Sequence, residues 1–284
     1  LCSGDSSLAL LAEAAQQLPD DYPSVRLANP MQVQNHASVD LYVDEVLRHA
    51  KVILISLHGG IAYWRYGVEQ LIELSRRGVQ LILVPGDDRP DPELSDLSTV
   101  SVQERDRLWH YLRQGGMANA LDLFRCLASR WLGRDYTWGE PQTLPRTAIY
   151  HPGKSPAALN DWQADWVAGQ PVAAVLFYRS HLQAANTGFI DVFCQRLQAA
   201  GLNPLPIAVA SLKEPGCLTV VEDWLDQADA AVILNTTGFA QSSPEAPHLR
   251  PFRRNVPVIQ AICAQDNEPG WRQSEQGLGP RDLA

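Results

Sequence analysis

The residues of this chain best placed to do chemistry follow apolar runs of strand type. In Ala173–Asp191, AAVLFYRSHLQAANTGFID, a buried-type run over Ala173–Phe177 gives way at once to Tyr178, Arg179, Ser180 and His181. Asn186, Thr187 and Gly188 come next, and then a helical pattern whose apolar stripe is Phe189, Ile190, Phe193, Cys194 and Leu197. Open α/β sheets bind ligands beyond the carboxyl ends of their strands. A guanidinium, an imidazole, an amide and a hydroxyl at such an edge suit an anion or a large polar ligand. A second edge, His58-Gly59-Gly60, follows VILISL and leads into Tyr63, Trp64, Arg65 and Tyr66. Its glycines permit a tight turn and close approach of a ligand to backbone N–H groups. The aromatic–arginine run offers a flat surface and a positive charge to a planar molecule bearing carboxylates. Taken alone, these residues fit a connection with packed aromatics better than a site, because most strand ends only join elements.

Other polar clusters are weaker candidates. Pro85-Gly86-Asp87-Asp88-Arg89-Pro90-Asp91 carries oxygen ligands of the kind magnesium prefers, yet it has the composition of a solvated turn with its own Asp–Arg pairing, and the turn is the better reading. Asn235-Thr236-Thr237-Gly238 echoes Asn186-Thr187-Gly188 and suits a ligand amide or carboxylate as well as a helix cap. His151-Pro152-Gly153-Lys154-Ser155 approaches a phosphate loop, but the required first glycine is Ala148, so no phosphate cradle and no ATP site are expected. Neither GxGxxG nor GxSxG occurs, which removes support for dinucleotide and serine-hydrolase readings. Among the scattered histidines, His58 and His181 are the ligand-facing pair, whereas His110 reads as a structural helix residue.

The elements that must position these residues alternate between strand and helix. Helices are predicted over Leu8–Leu18, Asp40–His49, the stretch carrying Val68–Leu74 and closed by Gly78, Ser101–Gln114, Met117–Leu132, Pro156–Ala168, Phe189–Ala200 and Leu218–Asp226. Ser101 and Glu104 form a capping-box signature. Strands are predicted over Ser24–Leu27, Val52–Leu57, Val79–Val84, Thr147–Tyr150, Val172–Phe177, Pro206–Val209, Ala230–Leu234 and Val256–Ile262. Uninterrupted β-branched runs such as VILISL mark strands covered on both faces. The pattern predicts an α/β protein of two doubly wound (Rossmann- or flavodoxin-like) domains with mainly parallel sheets. Residues Gly133–Arg146 lack periodicity and set the boundary, giving domains over 1–138 and 139–284.

Composition narrows the function. The chain has 284 residues, 45% hydrophobic and 19% charged, as in soluble globular proteins. A net charge of −9 argues against a general nucleic-acid binder. No apolar run reaches the ~20 residues of a membrane span. Five widely spaced cysteines suit buried hydrophobes in a reducing, cytoplasmic setting rather than a disulfide framework or a zinc site. Leu1-Cys2-Ser3 reads as the tail of a strand with no body before it, and GLGPRDLA stops on the approach to another element, so a fragment truncated at both ends is expected.

The stretches LHGGIAYWRYGVEQL, LVPGDDRPDPELSDLSTV, VLFYRSHLQAANTGFID and LNPLPIAVASLKEP resemble the large subunits of aerobic cobaltochelatases (the CobN type). They are more distantly similar to the large subunits of magnesium chelatases. The resemblance runs along nearly the whole chain and keeps the order of the blocks. It implies the N-terminal part of an ATP-dependent ligase that inserts cobalt(II), the substrate metal, into hydrogenobyrinic acid a,c-diamide during cobalamin synthesis. It also implies that ATP and magnesium are used by a separate AAA+ motor acting with an accessory subunit, in keeping with the missing phosphate loop. The metal-insertion core is then expected downstream, with the isolated fragment inactive, and no catalytic or metal-binding residue is assigned. Substrate contacts are expected at His58, Tyr63, Trp64, Arg65, Arg179, His181, Asn186 and Thr187, with the two arginines meeting substrate carboxylates. A histidine or a carboxylate would assist as general base for pyrrolic N–H deprotonation, with His58 or His181 the candidates. The competing expectations are a non-catalytic scaffold of a cobalt or magnesium chelatase and an unrelated two-domain small-molecule binder.

Overall fold

A computed structural model describes residues 1–238, 252–263 and 272–273. Residues 277–284, which the sequence reads as the approach to a further element, lie outside them. The chain divides by its internal contacts into one unit of Leu1–Leu144 with Gln183–Ala185 and another of Pro145–Leu182 with Asn186–Ala284.

In the first unit, α1 (Asp5–Gln16) and α2 (His36–Glu45) precede strand β1 (Val52–Leu57). Then come α3 (Arg65–Arg76), β2 (Gln80–Pro85), α4 (Pro92–Asp96), α5 (Val102–Gln114) and α6 (Met117–Trp131). β1 and β2 pair in parallel, and Cys2 adds a parallel bridge to Ser56. Successive strand residues point to opposite faces, and both faces are covered. Ile82 and Val84 pack with Leu108, Leu123 and Phe124, while Leu81 and Leu83 pack with Val68, Leu71 and Leu94. The capping box of α5 forms as expected, with Glu104 N–H donating to Ser101 Oγ and Ser101 N–H to the Glu104 carboxylate. α2 begins four residues before its predicted start, because Asn35 Oδ1 accepts from Ser38 N–H at 2.8 Å and caps the helix there. The strand expected over Ser24–Leu27 does not form; the segment belongs to no ladder.

The second unit begins with a hairpin, β3 (Thr147–His151) and β4 (Lys154–Ala157), followed by α7 (Leu159–Asp165). It continues with β5 (Val172–Tyr178), the single turn α8 (Ser180–Gln183), α9 (Gly188–Ala199), β6 (Asn203–Val209), α10 (Pro215–Gln227), β7 (Ala230–Asn235) and β8 (Val258–Gln260). The spatial order is β4-β3-β6-β5-β7-β8. β6, β5, β7 and β8 are parallel, whereas β3 runs antiparallel to both β6 and β4, so the sheet is mixed. The helix expected from Pro156 to Ala168 is replaced by β4 and the shorter α7. Gly153 turns the hairpin at φ 74°, and proline is tolerated in β4 because that strand lies at the sheet edge. β6 also starts earlier than Pro206. Asn203 donates to Pro171 C=O, so the nitrogens of Pro204 and Pro206 point away from β5, along a stretch that β3 does not reach.

Asn203 fastens the entry to β6. Its Oδ1 accepts from Val167 N–H at 2.9 Å, and its amide donates to the carbonyls of Val167 and Gln170, both at 3.0 Å. Among the described residues no helix is long and apolar enough to cross a membrane. All five cysteines are free, and all but Cys263 are buried.

Candidate functional site

At the end of β1 the chain turns through Gly59 and Gly60, at φ 75° and 74°, a region L side chains rarely adopt. His58 stands exposed there. Ser3 Oγ lies 2.8 Å from His58 Nδ1 and accepts from His58 N–H at 2.9 Å, so one hydroxyl fixes both ring and backbone. Gly86, after β2, leaves room for that ring: a Cβ on it would fall 2.5 Å from His58 Nδ1 and 2.8 Å from His58 N. Tyr63 lies flat against Gly59, where a Cβ would meet its ring at 2.2 Å, and is 65% exposed. Arg65 is exposed at the start of α3.

Trp64 behaves differently from its neighbours. It is 4% exposed, and its indole N–H donates to Val33 C=O at 2.7 Å. Its ring packs over Gly67, where a Cβ would come within 2.2 Å. Trp64 therefore belongs to the core and offers no face to a ligand. The acidic loop after β2 is a turn, as its composition suggests. Asp87 accepts from Arg89 N–H at 3.0 Å, Asp88 pairs with Arg113 at 3.2 Å, and Asp91 caps α4 through Leu94 N–H at 3.1 Å. Among the described residues no three histidine, cysteine or carboxylate groups converge as a metal site would require.

In the second unit β6 lies on one side of β5 and β7 on the other. The chain order therefore reverses beside β5, and open sheets bind ligands at such a reversal, beyond the carboxyl ends of the two strands, here β5 and β7. Tyr178, Arg179 and His181 come from the first of these ends, and Thr236 to Gly238 from the second. Arg179 N–H donates to Val209 C=O at 2.9 Å, and Arg179 Nε donates to Pro145 C=O at 2.8 Å. His181 is packed edge-on against Phe189, with ring centroids 4.7 Å apart. Burial lowers its pKa and keeps the imidazole neutral at pH 7.

Asn186 is exposed, with its N–H on His181 C=O at 2.8 Å. The Thr187 hydroxyl is engaged internally: Tyr150 Oη lies 3.0 Å from Thr187 Oγ1 and 2.7 Å from Asp191 Oδ1. The phenol donates to the carboxylate and accepts from the threonine. The Asn235–Gly238 loop also closes on itself. Asn235 Oδ1 accepts from Thr237 N–H at 3.1 Å and from Thr237 Oγ1 at 2.7 Å, its amide donates to Gln260 Oε1 at 2.9 Å, and Gly238 N–H reaches the Tyr178 hydroxyl at 3.1 Å. These threonines and this asparagine build the rim rather than standing free on it. Two partners were missed at the sequence level. Ser3 reads equally well as a helix cap, and Gln260 lies 25 residues from Asn235 with no local signal joining them.

The lowered pKa of His181 sets a pH dependence. The unfolded chain takes up the proton near the ordinary value of 6.5, before the folded chain does, so the fold loses stability as pH falls through that value. Urea midpoints between pH 7.5 and 5 should drop less for His181→Asn than for the unaltered chain. Equal drops would show that His181 is not desolvated.

The CobN/Magnesium Chelatase family model matches residues 109–284. The chain is 71% identical over all its 284 residues to the aerobic cobaltochelatase subunit CobN of Pseudomonas aeruginosa, of which it covers 23%. Against the aerobic cobaltochelatase subunit CobN of a Sinorhizobium species the identity is 33%, again over the whole chain and 23% of the relative. The chain thus spans about a quarter of the length of these relatives. Its fold matches the catalytic subunit of cobaltochelatase from Mycobacterium tuberculosis with a TM-score of 0.72 at 24% identity, covering the whole chain and 22% of that structure. With the family model covering well over half of its length, this chain belongs to the CobN/magnesium chelatase family.

Proposed function

We propose that the chain is the N-terminal, head region of the large subunit of a cytoplasmic cobaltochelatase. Its strand-end loops hold the periphery of hydrogenobyrinic acid a,c-diamide while cobalt(II) is inserted, and ATP is hydrolysed by a separate AAA+ motor working with an accessory subunit. The observation that carries this reading is the exposed group His58, Tyr63 and Arg65 at the end of β1, in a chain 71% identical throughout to a protein named as a cobaltochelatase subunit. A planar macrocycle edged with carboxylates and amides calls for an aromatic face and guanidinium donors. Arg65 supplies such a donor in the first unit and Arg179 in the second. Metal insertion also releases the ring N–H proton of the macrocycle, which a neutral imidazole accepts. His181 is held neutral by burial, and His58 is held in place by Ser3. Free, mostly buried cysteines support the reducing compartment.

The test is titration of hydrogenobyrinic acid a,c-diamide into the chain, followed by calorimetry and absorbance, and into the full-length subunit carrying Arg179→Ala or His181→Ala. Loss of one charged hydrogen bond should weaken binding by about 10- to 100-fold. Absence of heat and of spectral change up to tens of micromolar (roughly −6 to −7 kcal/mol on the affinity scale) would leave the head without a substrate contact. A scaffold role then takes its place, a reading favoured by the internal use of Thr187, Asn235 and Thr237.

A further inference from the structure

In the second unit β8 ends the sheet order among the described residues, and burial does little to hold it. It is three residues long, and Val258, Ile259 and Gln260 are all exposed. Its ladder to β7 is closed by Ile233 N–H on Pro257 C=O and by Ala261 N–H on Asn235 C=O, both at 2.9 Å. Solvent-exposed ladder bonds with few apolar contacts open readily. Yet β8 carries Gln260, whose Oε1 accepts from the Asn235 amide at 2.9 Å and whose own amide donates to Thr237 C=O at 2.8 Å. The brace of the rim at the end of β7 therefore depends on a strand that needs a further fastening.

That fastening lies at the entry to β8. Phe252 is 4% exposed and packs into the core. Arg253 follows, and its backbone N–H donates to Glu222 Oε1 at 2.6 Å. Its guanidinium donates to Asp226 Oδ2 at 2.7 and 3.0 Å and to Asp223 Oδ1 at 3.0 Å. Arg254 donates through Nε to Ala230 C=O at 2.6 Å, pairs with Asp229, and lies 3.7 Å from Asp226 Oδ1. Asp229 has a left-handed backbone, φ 51°, so Arg254 clamps the turn that leads α10 into β7.

The clamp comes from outside α10 for an electrostatic reason. Asp226 lies four residues from Glu222 and three from Asp223, spacings at which like charges on a helix repel. Asp226 also stands in the last turn, where the helix dipole disfavours an anion, and α10 itself has no basic residue there. Arg253 and Arg254 supply the missing cations. Their attraction is open to screening, because the Debye length falls from about 8 Å at 0.15 M salt to about 3 Å at 1 M. The Arg253 side chain is 51% exposed, within reach of that salt.

We infer that residues 252–255 form an ionic strap: Arg253 and Arg254, drawn onto the carboxylates of α10, keep β8 docked on β7, and screening of these pairs releases β8 and, with Gln260, the brace of the 235–238 rim. The edge strand is then a salt-sensitive clasp, closed at low ionic strength and loosened at high. Phe252 stays anchored in either state, since apolar packing is not screened. The inference stands apart from the proposed chelatase role, because it concerns the docking of a strand and not a substrate.

The experiment is amide hydrogen exchange of the full-length subunit, unaltered and with Arg253→Gln and Arg254→Gln together, at about 0.05 M and about 1 M sodium chloride. Mass spectrometry reads peptides covering 172–178, 230–238 and 256–263. In the unaltered subunit, exchange over 256–263 and 235–238 should quicken by roughly 10-fold at high salt, as expected when a ladder opens locally. The double variant should exchange at the fast rate already at low salt and respond no further. The β5 amides over 172–178 should stay slow throughout. Equal exchange of 256–263 in the two proteins at low salt, or an equal response of both to salt, would overturn the inference. So would acceleration confined to 256–263 that leaves 235–238 unchanged. If the variant unfolds, seen as fast exchange of 172–178, the salt response of the unaltered subunit decides: none over 256–263 overturns the strap.

Discussion

Trp64→Ala should destabilise the first unit by about 3–5 kcal/mol, the range for emptying a buried tryptophan site. The ring fills space between Gly67 and the segment ending at Val33, and its indole N–H satisfies the half-buried Val33 carbonyl. Trp64→Phe keeps most of the apolar volume and loses only that bond, so it should cost about 1–2 kcal/mol. Urea unfolding of the chain measures both. Neither variant should change the affinity of the folded full-length subunit for hydrogenobyrinic acid a,c-diamide by more than about twofold. The opposite pattern, small destabilisation with large loss of binding, would return Trp64 to the ligand surface. Tyr63→Ala supplies the contrast: an exposed ring whose removal should barely touch stability.

That pair shows where the sequence stops informing. Tyr63 and Trp64 are adjacent and chemically alike, and both fit a flat ligand. Adjacent residues on a 3-10 turn point about 120° apart, so one can face the core while the other faces solvent. Which one does so depends on the phase of the short 3-10 turn Ile61–Trp64, which is set by the two glycines at positive φ before it. No pattern in the residues encodes that phase. Long, strongly patterned elements were legible: VILISL and VQLILV became β1 and β2, and the Ser101–Glu104 box starts α5. Pro156 was ambiguous, because a proline suits both the first turn of a helix and an edge strand. Ser24–Leu27 has a strand's composition, but a strand needs a neighbour as well as a propensity, and among the described residues no strand pairs with it.

The polar loops pose the same problem in another form. Asn, Thr and Gly at a strand end carry the same donors and acceptors whether they serve a ligand or one another. Asn235 and Thr237 are buried, and burial requires that their polar atoms be paired. Within the protein the pairing falls to Gln260, from a strand that local sequence does not link to this loop. His181 differs, because an imidazole that packs edge-on against Phe189 does so through its ring face and edge rather than through the pairing of its polar atoms.

Asn235→Leu should cost about 2–5 kcal/mol, because it leaves the buried Thr237 N–H and hydroxyl without their acceptor and Gln260 without its donor, at ~1–3 kcal/mol for each orphaned group. Asn235→Asp keeps the shape and the acceptor oxygen but loses the donor to Gln260 and buries a carboxyl. Burial favours the neutral acid, so the folded-state pKa of this aspartate rises above its unfolded value. Its stability relative to the unaltered chain is then greatest below the unfolded pKa, near 4, and is lost as pH rises through the folded pKa. Urea midpoints of Asn235→Asp, each taken relative to the unaltered chain, should therefore fall between pH 4.5 and pH 7.5, whereas those of Asn235→Leu should stay parallel. A flat difference for the aspartate would mean that position 235 is solvated, and the rim at the carboxyl end of β7 would be open rather than braced. A braced rim matters for the proposed function: Gly238 N–H holds the Tyr178 hydroxyl between the ends of β5 and β7, so if that edge binds substrate, loosening residue 235 should weaken the binding.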